Sequence, residues 1–287
     1  MPKTLTFRNN KTYVIISTIY NQEKNNTVFY KALDVNLDRI VGIKIIGYNN
    51  DTKKSLINEC RALIKVEAVA DNVPSLYDYY DDFREKKLVM VMQYIEGVTL
   101  NEIIKDNEGK YEDYSVINGN IKLLIQISRT LGQIHKVPYL QHKDLKPQNI
   151  IVKNYGSTSQ SVYIIDFGIS AKATTRGIGT PGYEAPEQMY GKLGTNYDRI
   201  DIFAMGLIAF EMLTGKRIRI GTDLRQTSKD VEWKTVPEFK AYNKNMSDEI
   251  IKVLKKCLCR QPKNRYRNGE ELERALFYAL KSRRRNK

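Results

Sequence analysis

The strongest constraint on the fold is a change of hydrophobic period near Leu100. Before it, residues 13–19, 27–33, 39–46 and 87–95 read as short β-rich runs, with one helical interruption from residue 53 to about residue 69. After it, Ile117, Ile121, Leu124, Ile127, Leu131 and Ile134 recur at steps of three and four, which places them on one face of a helix. An α+β fold follows: a small antiparallel sheet lobe with one helix, then a larger, mainly helical lobe. The expected boundaries are 1–93 for the β-rich lobe, 94–97 for a hinge, 98–280 for the helical lobe and 281–287 for a basic tail. Gly97 is the natural bend, and residues 155–161, rich in Gly, Ser and Thr, read as a hairpin-like loop.

With 287 residues, 41% of them hydrophobic and 28% charged, the chain has the composition of an ordinary globular protein and can bury a large core. Three cysteines, Cys60, Cys257 and Cys259, are too few for a disulfide framework and lack the spacing of a four-ligand zinc site, which fits a reducing compartment. The pair Cys257 and Cys259 lies in an apolar helical stretch and reads as core. No signal-peptide pattern follows Met1, and the longest apolar stretch, residues 202–210, falls short of the ~20 residues that a spanning helix needs. A cytoplasmic location is expected, either free or as the cytosolic part of a longer membrane-anchored chain. The net charge of +14 comes from lysines and arginines spread along the sequence, with one dense cluster in the tail, Lys281, Arg283, Arg284, Arg285 and Lys287, a candidate contact for an acidic partner or an anionic membrane surface. No nucleic-acid recognition motif accompanies the charge, so no specific nucleic-acid partner is expected.

Two segments carry chemistry. His142-Lys143-Asp144-Leu145-Lys146-Pro147-Gln148-Asn149 puts a carboxylate, an amine and an amide within a few residues, ahead of the apolar run Ile150-Ile151-Val152. Seventeen residues past Asn149, the strand-like Val162-Tyr163-Ile164-Ile165 delivers Asp166-Phe167-Gly168. Phosphoryl transfer asks a protein for such a set: a group to orient a hydroxyl, a cation for phosphate oxygens, and oxygen ligands for a metal. Each segment alone is also compatible with a polar turn beside a strand; their order and spacing make the pair informative.

On these residues the chain resembles the eukaryotic-like (Hanks-type) serine/threonine protein kinase family, over nearly its whole length. The resemblance implies a bilobal kinase fold, ATP as phosphate donor, Mg²⁺ (with Mn²⁺ as the alternative) and protein substrates. It implies that Asp144 orients the substrate hydroxyl, that Lys146 steadies the transferred phosphate, and that Asn149 and Asp166 ligate the metal. Lys44 in Val41-Gly42-Ile43-Lys44 resembles the strand lysine that holds the α- and β-phosphates, and Glu59 its helical partner. Met92 resembles the gatekeeper behind the adenine, with backbone groups of Gln93 and Ile95 at the adenine edge and Ile151 in the nucleotide site. The hinge from Met92 to Leu100 is similar to that of bacterial members. Thr180 in Gly179-Thr180-Pro181-Gly182-Tyr183-Glu184-Ala185-Pro186-Glu187 resembles the threonine that bonds the catalytic Asp and Lys. Arg265 resembles the partner of Glu187, and Asp201 the brace of the catalytic loop. Thr174 or Thr175 is the candidate autophosphorylation site.

The chain departs from the family pattern in three places. Residues 19–29 should hold a Gly-x-Gly-x-x-Gly phosphate loop and contain no glycine; Asn21, Asn25 or Asn26 can replace it in part by tolerating positive φ. Gly42 stands where alanine is usual and is expected to forfeit one methyl contact, about 0.8 kcal/mol. Lys143 replaces an arginine, keeping the charge and losing the fork. The glycine-free loop leaves open a pseudokinase or scaffold with weak or no phosphotransfer. A small-molecule kinase and a basic nucleic-acid-binding module are the other readings.

Overall fold

The computed structural model describes residues 3–7, 11–22, 26–167, 180–189, 199–218 and 238–285, the side chains of 283–285 excepted. These residues form two compact units, with a break between Glu96 and Gly97.

The first unit contains β1 (Thr4–Thr6), β2 (Thr12–Gln22), β3 (Thr27–Asp34), β4 (Arg39–Gly47), α1 (Asn50–Glu67), β5 (Leu76–Asp82) and β6 (Lys87–Gln93). The strands make one antiparallel sheet in the order β1-β2-β3-β4-β6-β5. Neither β1 nor β5 is apparent from hydrophobic pattern. Both lie at sheet edges, and β5 carries three aspartates, a residue depleted in strands but tolerated where the side chains stay solvated. Period-two alternation sorts the sheet into two faces. One buries Tyr13, Tyr30, Ala32, Val41, Ile43, Val89 and Val91. The other buries Ile46, Leu88, Met90 and Met92 against Cys60 of α1, so α1 packs on the face that carries Lys44. Asn49 and Thr52 start α1 with a reciprocal capping box, each backbone N–H bonding the other side chain at 2.9 Å.

The β2–β3 ladder is paired out to Gln22 opposite Thr27. Asn26 takes positive φ (+45°) at the hairpin end, while Asn21 pairs with Val28 inside the ladder and Asn25 lies outside the described residues. The Asn26 carbonyl accepts the Gly47 N–H at 2.8 Å. A Cβ on Gly47 would stand 2.3 Å from Asn26 Nδ2, so the glycine at the end of β4 is what lets the hairpin rest there.

The second unit contains β7 (Val98–Thr99), α2 (Leu100–Asp106), α3 (Tyr114–Ile134), β8 (Ile150–Lys153), β9 (Ser161–Ile164), α4 (Pro186–Met189), α5 (Ile200–Thr214), α6 (Phe239–Tyr242), α7 (Asp248–Cys257) and α8 (Gly269–Arg285). The three strands form a small antiparallel sheet in sequence order, with residues 154–160 closing the β8–β9 hairpin and Ser161 already paired with Lys153. Gly97 serves close approach: a Cβ there would meet the Val152 carbonyl oxygen at 2.6 Å. Every residue of α5 is buried, as its nearly continuous apolar sequence requires, and Gly206 admits Cys257 and Leu258 against it. Gly132 of α3 and Gly269 at the start of α8 allow those helices to touch backbone to backbone; a Cβ on Gly132 would lie 2.8 Å from Glu270 N. Cys60 and Cys257 are buried and Cys259 is half-buried, all as free thiols. Residues 281–285, four of them basic, prolong α8, where lysine and arginine are good helix formers. Among the described residues no helix is long and apolar enough to cross a membrane.

Candidate active site

The loop after α3 is held from beneath by Asp201, in the first turn of α5. Its fully buried carboxylate accepts the His142 N–H at 2.7 Å and the Lys143 N–H at 2.9 Å, and lies 3.1 Å from His135 Nε2. Burial alone would raise the Asp201 pKa; the hydrogen bond and charge of His135, with the charge and N–H of His142, outweigh it and hold the carboxyl below its ordinary value. Lys143 adopts φ +66°, a left-handed conformation rare for a non-glycine residue, which this bracing maintains.

Asp144, Lys146 and Thr180 form a closed set of hydrogen bonds. Lys146 Nζ donates to Asp144 Oδ2 at 2.8 Å and to Thr180 Oγ1 at 2.8 Å, and the Thr180 hydroxyl donates to Asp144 Oδ1 at 2.7 Å. Asn149 ends the short 3₁₀ turn Pro147–Asn149 and spends its Nδ2 on the Asp144 carbonyl at 2.9 Å, which leaves Oδ1 as the atom to offer a cation. Asp166 follows β9 at φ +59°. Its neighbour Ile165 is stitched to the loop twice: the Ile165 N–H donates to the Asn149 carbonyl at 2.9 Å, and His142 Nε2 donates to the Ile165 carbonyl at 3.0 Å. The His142 ring also packs on Phe167, with centroids 5.0 Å apart. Asn149 and Asp166 together supply hard oxygen donors, a set that suits Mg²⁺ or a similar ion. Gly168, Thr174 and Thr175 lie outside the described residues.

The stretch from Thr180 onward is anchored by Glu187, whose carboxylate receives Arg265 Nη1 at 2.6 Å and Nη2 at 2.9 Å. Between these anchors, Tyr183 donates its hydroxyl to Glu211, which Arg217 Nε also bonds at 2.8 Å. Glu184 lines the same small cavity as Asp144, Lys143 and Thr180. Burial, then the Asp144 charge, raises its pKa.

In the first unit, Lys44 Nζ lies 3.5 Å from Glu59 Oε1, with both side chains largely buried. Met92 is buried beside Met90 and Cys60, and Ile95 is buried as well. The Gln93 N–H is bonded to the Ser75 carbonyl at 2.8 Å. The backbone group of Gln93 suited to a ligand is therefore its carbonyl. Ile151, in the second unit, sits half-buried in β8 opposite Thr99 and Tyr163. A Cβ on Gly42 would stand 2.6 Å from Phe29 Cζ, so an aromatic ring fills the space that the missing methyl would occupy.

The family described as Protein kinase domain matches residues 25–277. The chain belongs to that family. Serine/threonine-protein kinase PrkC of Bacillus subtilis is 28% identical over 253 residues, covering 85% of this chain and 37% of that protein. A probable serine/threonine-protein kinase of Clostridium acetobutylicum is 30% identical over 258 residues, covering 85% of this chain and 36% of that protein. The chain thus spans little more than a third of the length of these curated relatives. In fold, it resembles the crystal structure of the Mycobacterium tuberculosis PknI kinase domain, with a TM-score of 0.71 at 17% identity over 96% of this chain and 98% of that one. A protein kinase domain uses ATP and a divalent metal ion.

Sequence reasoning missed several members of this protein kinase domain's supporting structure. His135 bonds Asp201 with one ring nitrogen and receives the Gly269 N–H at 3.2 Å with the other, tying α3, α5 and α8 together. Gln188 donates to the Lys143 carbonyl at 3.0 Å and accepts the Ala185 N–H at 2.8 Å. Nothing local in the sequence marks either residue for the loop it supports, since Asp201 and Gly269 for His135, and the Lys143 carbonyl for Gln188, lie far along the chain.

Proposed function

We propose that this chain is a serine/threonine protein kinase that moves the γ-phosphoryl group of ATP to Ser or Thr hydroxyls of proteins. The observation that carries the reading is the closed set of Asp144, Lys146 and Thr180. In it, Asp144 accepts a hydrogen bond from a hydroxyl, that of Thr180, with the Lys146 ammonium beside it. A substrate hydroxyl that engages Asp144 would be oriented for attack and would give up its proton there, while Lys146 neutralises charge on the transferred phosphoryl oxygens. Asn149 Oδ1 and the Asp166 carboxylate would hold Mg²⁺, with Mn²⁺ as a substitute; the ion supplies positive charge against the phosphate oxygens. Lys44, oriented by Glu59, would bind the α- and β-phosphates, and Met92, the Gln93 carbonyl, Ile95 and Ile151 would receive the base. Thr174 or Thr175 is the proposed autophosphorylation site. The domain limits 1–93, 94–97, 98–280 and 281–287 remain our assignment. The basic end of α8 is the surface for an acidic protein or an anionic membrane leaflet, and the kinase works in the cytoplasm.

The test is phosphotransfer from radiolabelled Mg-ATP to a generic protein substrate, with Asp144→Asn and Asp166→Asn beside the wild type. Transfer above both variants is expected. Wild-type transfer no greater than theirs would overturn the reading and leave a binding module on a kinase fold.

A further inference from the structure

Helix α5 ends on a turn that sends the chain's next arginine back onto the helix's own buried acid. Gly215 takes φ +68°, and its N–H donates to the Glu211 carbonyl at 2.8 Å. The Thr214 hydroxyl donates to the Phe210 carbonyl at 2.8 Å and receives the Lys216 N–H at 3.1 Å. With the chain so reversed, Arg217 Nε donates to Glu211 Oε1 at 2.8 Å, while the Tyr183 hydroxyl donates to Glu211 Oε2. Both oxygens of this buried carboxylate are engaged and its charge is matched, so Glu211 has little to offer a cationic substrate.

Arg217 spends only one of its five N–H groups on this pair. Its guanidinium lies over the Tyr183 ring, 5.2 Å from the centroid. The side chain is 51% exposed, against 8% for that of Glu211. Among the described residues nothing bonds its two terminal Nη groups. A guanidinium fixed through Nε and a ring, with its outer edge in solvent, is a preformed fork for a carboxylate.

Its place relative to the acceptor site follows from Tyr183, which lines the same small cavity as Asp144 and Thr180. Arg217 therefore stands one aromatic ring away from the residues around Asp144. An extended peptide advances about 3.3 Å per residue, so a chain whose hydroxyl sits at Asp144 can set a side chain at Arg217 within a few residues. Two neighbours could have favoured a cationic substrate instead. Gln148, the exposed residue of the catalytic loop, is uncharged, and burial of Glu184 works against its ionised form.

We propose that Arg217 is a specificity-determining residue, selecting protein substrates that carry an acidic side chain a few residues from the acceptor Ser or Thr and gripping its carboxylate through the Nη groups. The proposal rests on the kinase reading, which puts the acceptor hydroxyl at Asp144. Glu211 and Tyr183 are positioning residues that hold the guanidinium and touch no substrate.

The experiment measures kcat/KM with Mg-ATP for peptides that carry one serine in a neutral background, with Asp, Asn or Lys placed in turn at each neighbouring position. Phosphotransfer to a generic protein is measured beside them. Wild type is compared with Arg217→Gln, Arg217→Lys, Glu211→Gln and the double variant Glu211→Gln/Arg217→Gln, each checked for folding by a thermal melt. Wild type should favour Asp over Asn about tenfold at one position or more, the gain usual for a charge-assisted hydrogen bond. Arg217→Gln should abolish that preference whatever its absolute rate, and Arg217→Lys should keep only part of it, since an ammonium has no fork. Glu211→Gln should keep the preference, because Arg217 Nε still finds an oxygen there; a residue that merely neutralised Glu211 would show no such independence. The double variant leaves no stranded carboxylate, so it tests the loss of Arg217 even if Arg217→Gln fails to fold, and it too should show no preference. A wild-type preference in either variant lacking Arg217 would overturn the proposal. So would a wild type that phosphorylates the generic protein without favouring Asp at any position; both outcomes leave the kinase reading standing. Wild type that transfers phosphate to neither the peptides nor the generic protein would instead overturn the kinase reading, and the proposal with it.

Discussion

Arg265 holds Glu187 in a two-pronged ion pair, at 2.6 and 2.9 Å, and its remaining N–H groups reach the carbonyls of Cys259, Arg199 and Arg260. The guanidinium also lies over the Phe203 ring at 4.7 Å. A planar fork with five donors can satisfy this arrangement; an ammonium cannot. Removing it would strand a mostly buried carboxylate and three carbonyls. Arg265→Ala should therefore lose about 3–5 kcal/mol of unfolding free energy, with Arg265→Lys losing less, as read from urea denaturation.

Thr180 is the only hydroxyl shown bonded to both Asp144 and Lys146 among the described residues. Thr180→Val keeps the shape and removes the donor and acceptor. The expected result is a fall in kcat of about a hundredfold, the lower end of what a positioned general base contributes, with KM for ATP little changed. Thr180→Ser should retain most of the rate. Steady-state kinetics on all three proteins decides it, and a Thr180→Val enzyme with wild-type kcat would remove Thr180 from the site.

Asp201 satisfies two backbone N–H groups and His135 while fully buried. Asp201→Ala should cost about 3–5 kcal/mol, since it orphans those donors. The carboxyl's pKa is depressed in the folded chain, so its stabilising contribution is complete above the unfolded value of 3.8 and is lost as pH falls through the lower folded value. Acid unfolding of the wild type should accordingly contain a component below pH 3.8 that is missing in Asp201→Ala.

Glu184 has the opposite sign. Burial and the charge of Asp144 raise its pKa above 4.5, so ionising it opposes folding, and the cost appears as pH rises through the window above that value. Among the described residues no cation pairs with it, unlike Glu187 and Glu211. Glu184→Gln should melt at a higher temperature than wild type at pH 8 and at the same temperature at pH 4. Equal melting temperatures at both pH values would show that Glu184 carries no such strain.

Legibility in the sequence follows the distance over which each feature acts. Asp144, Lys146 and Asn149 lie within six residues, and the run His142 to Asn149 reads as one chemical unit from its local spacing alone. Strands β2, β3, β4 and β6 and helices α1 and α3 are visible because an apolar face imposes a period on its own segment. Edge strands β1 and β5 are not, because a strand with one solvated side and few apolar residues imposes no period. The partners Thr180, Glu59, Arg265 and Asp201 enter through family resemblance, and their bonds appear only across separations such as the 36 residues between Thr180 and Asp144.

The amino-acid order by itself determined the α+β division, the buried α5 and the content of the catalytic loop, since burial pattern and short-range spacing are local properties of a chain. Tertiary structure decided what the unusual positions mean. Gly42 reads as bare space until Phe29 is seen closing on it, and nothing in the order of residues tells that the Asn26 carbonyl at the hairpin end accepts the Gly47 N–H. Both depend on which side chains share a volume. That is settled by packing between strands, where two atoms cannot occupy one space, and linear order does not state it.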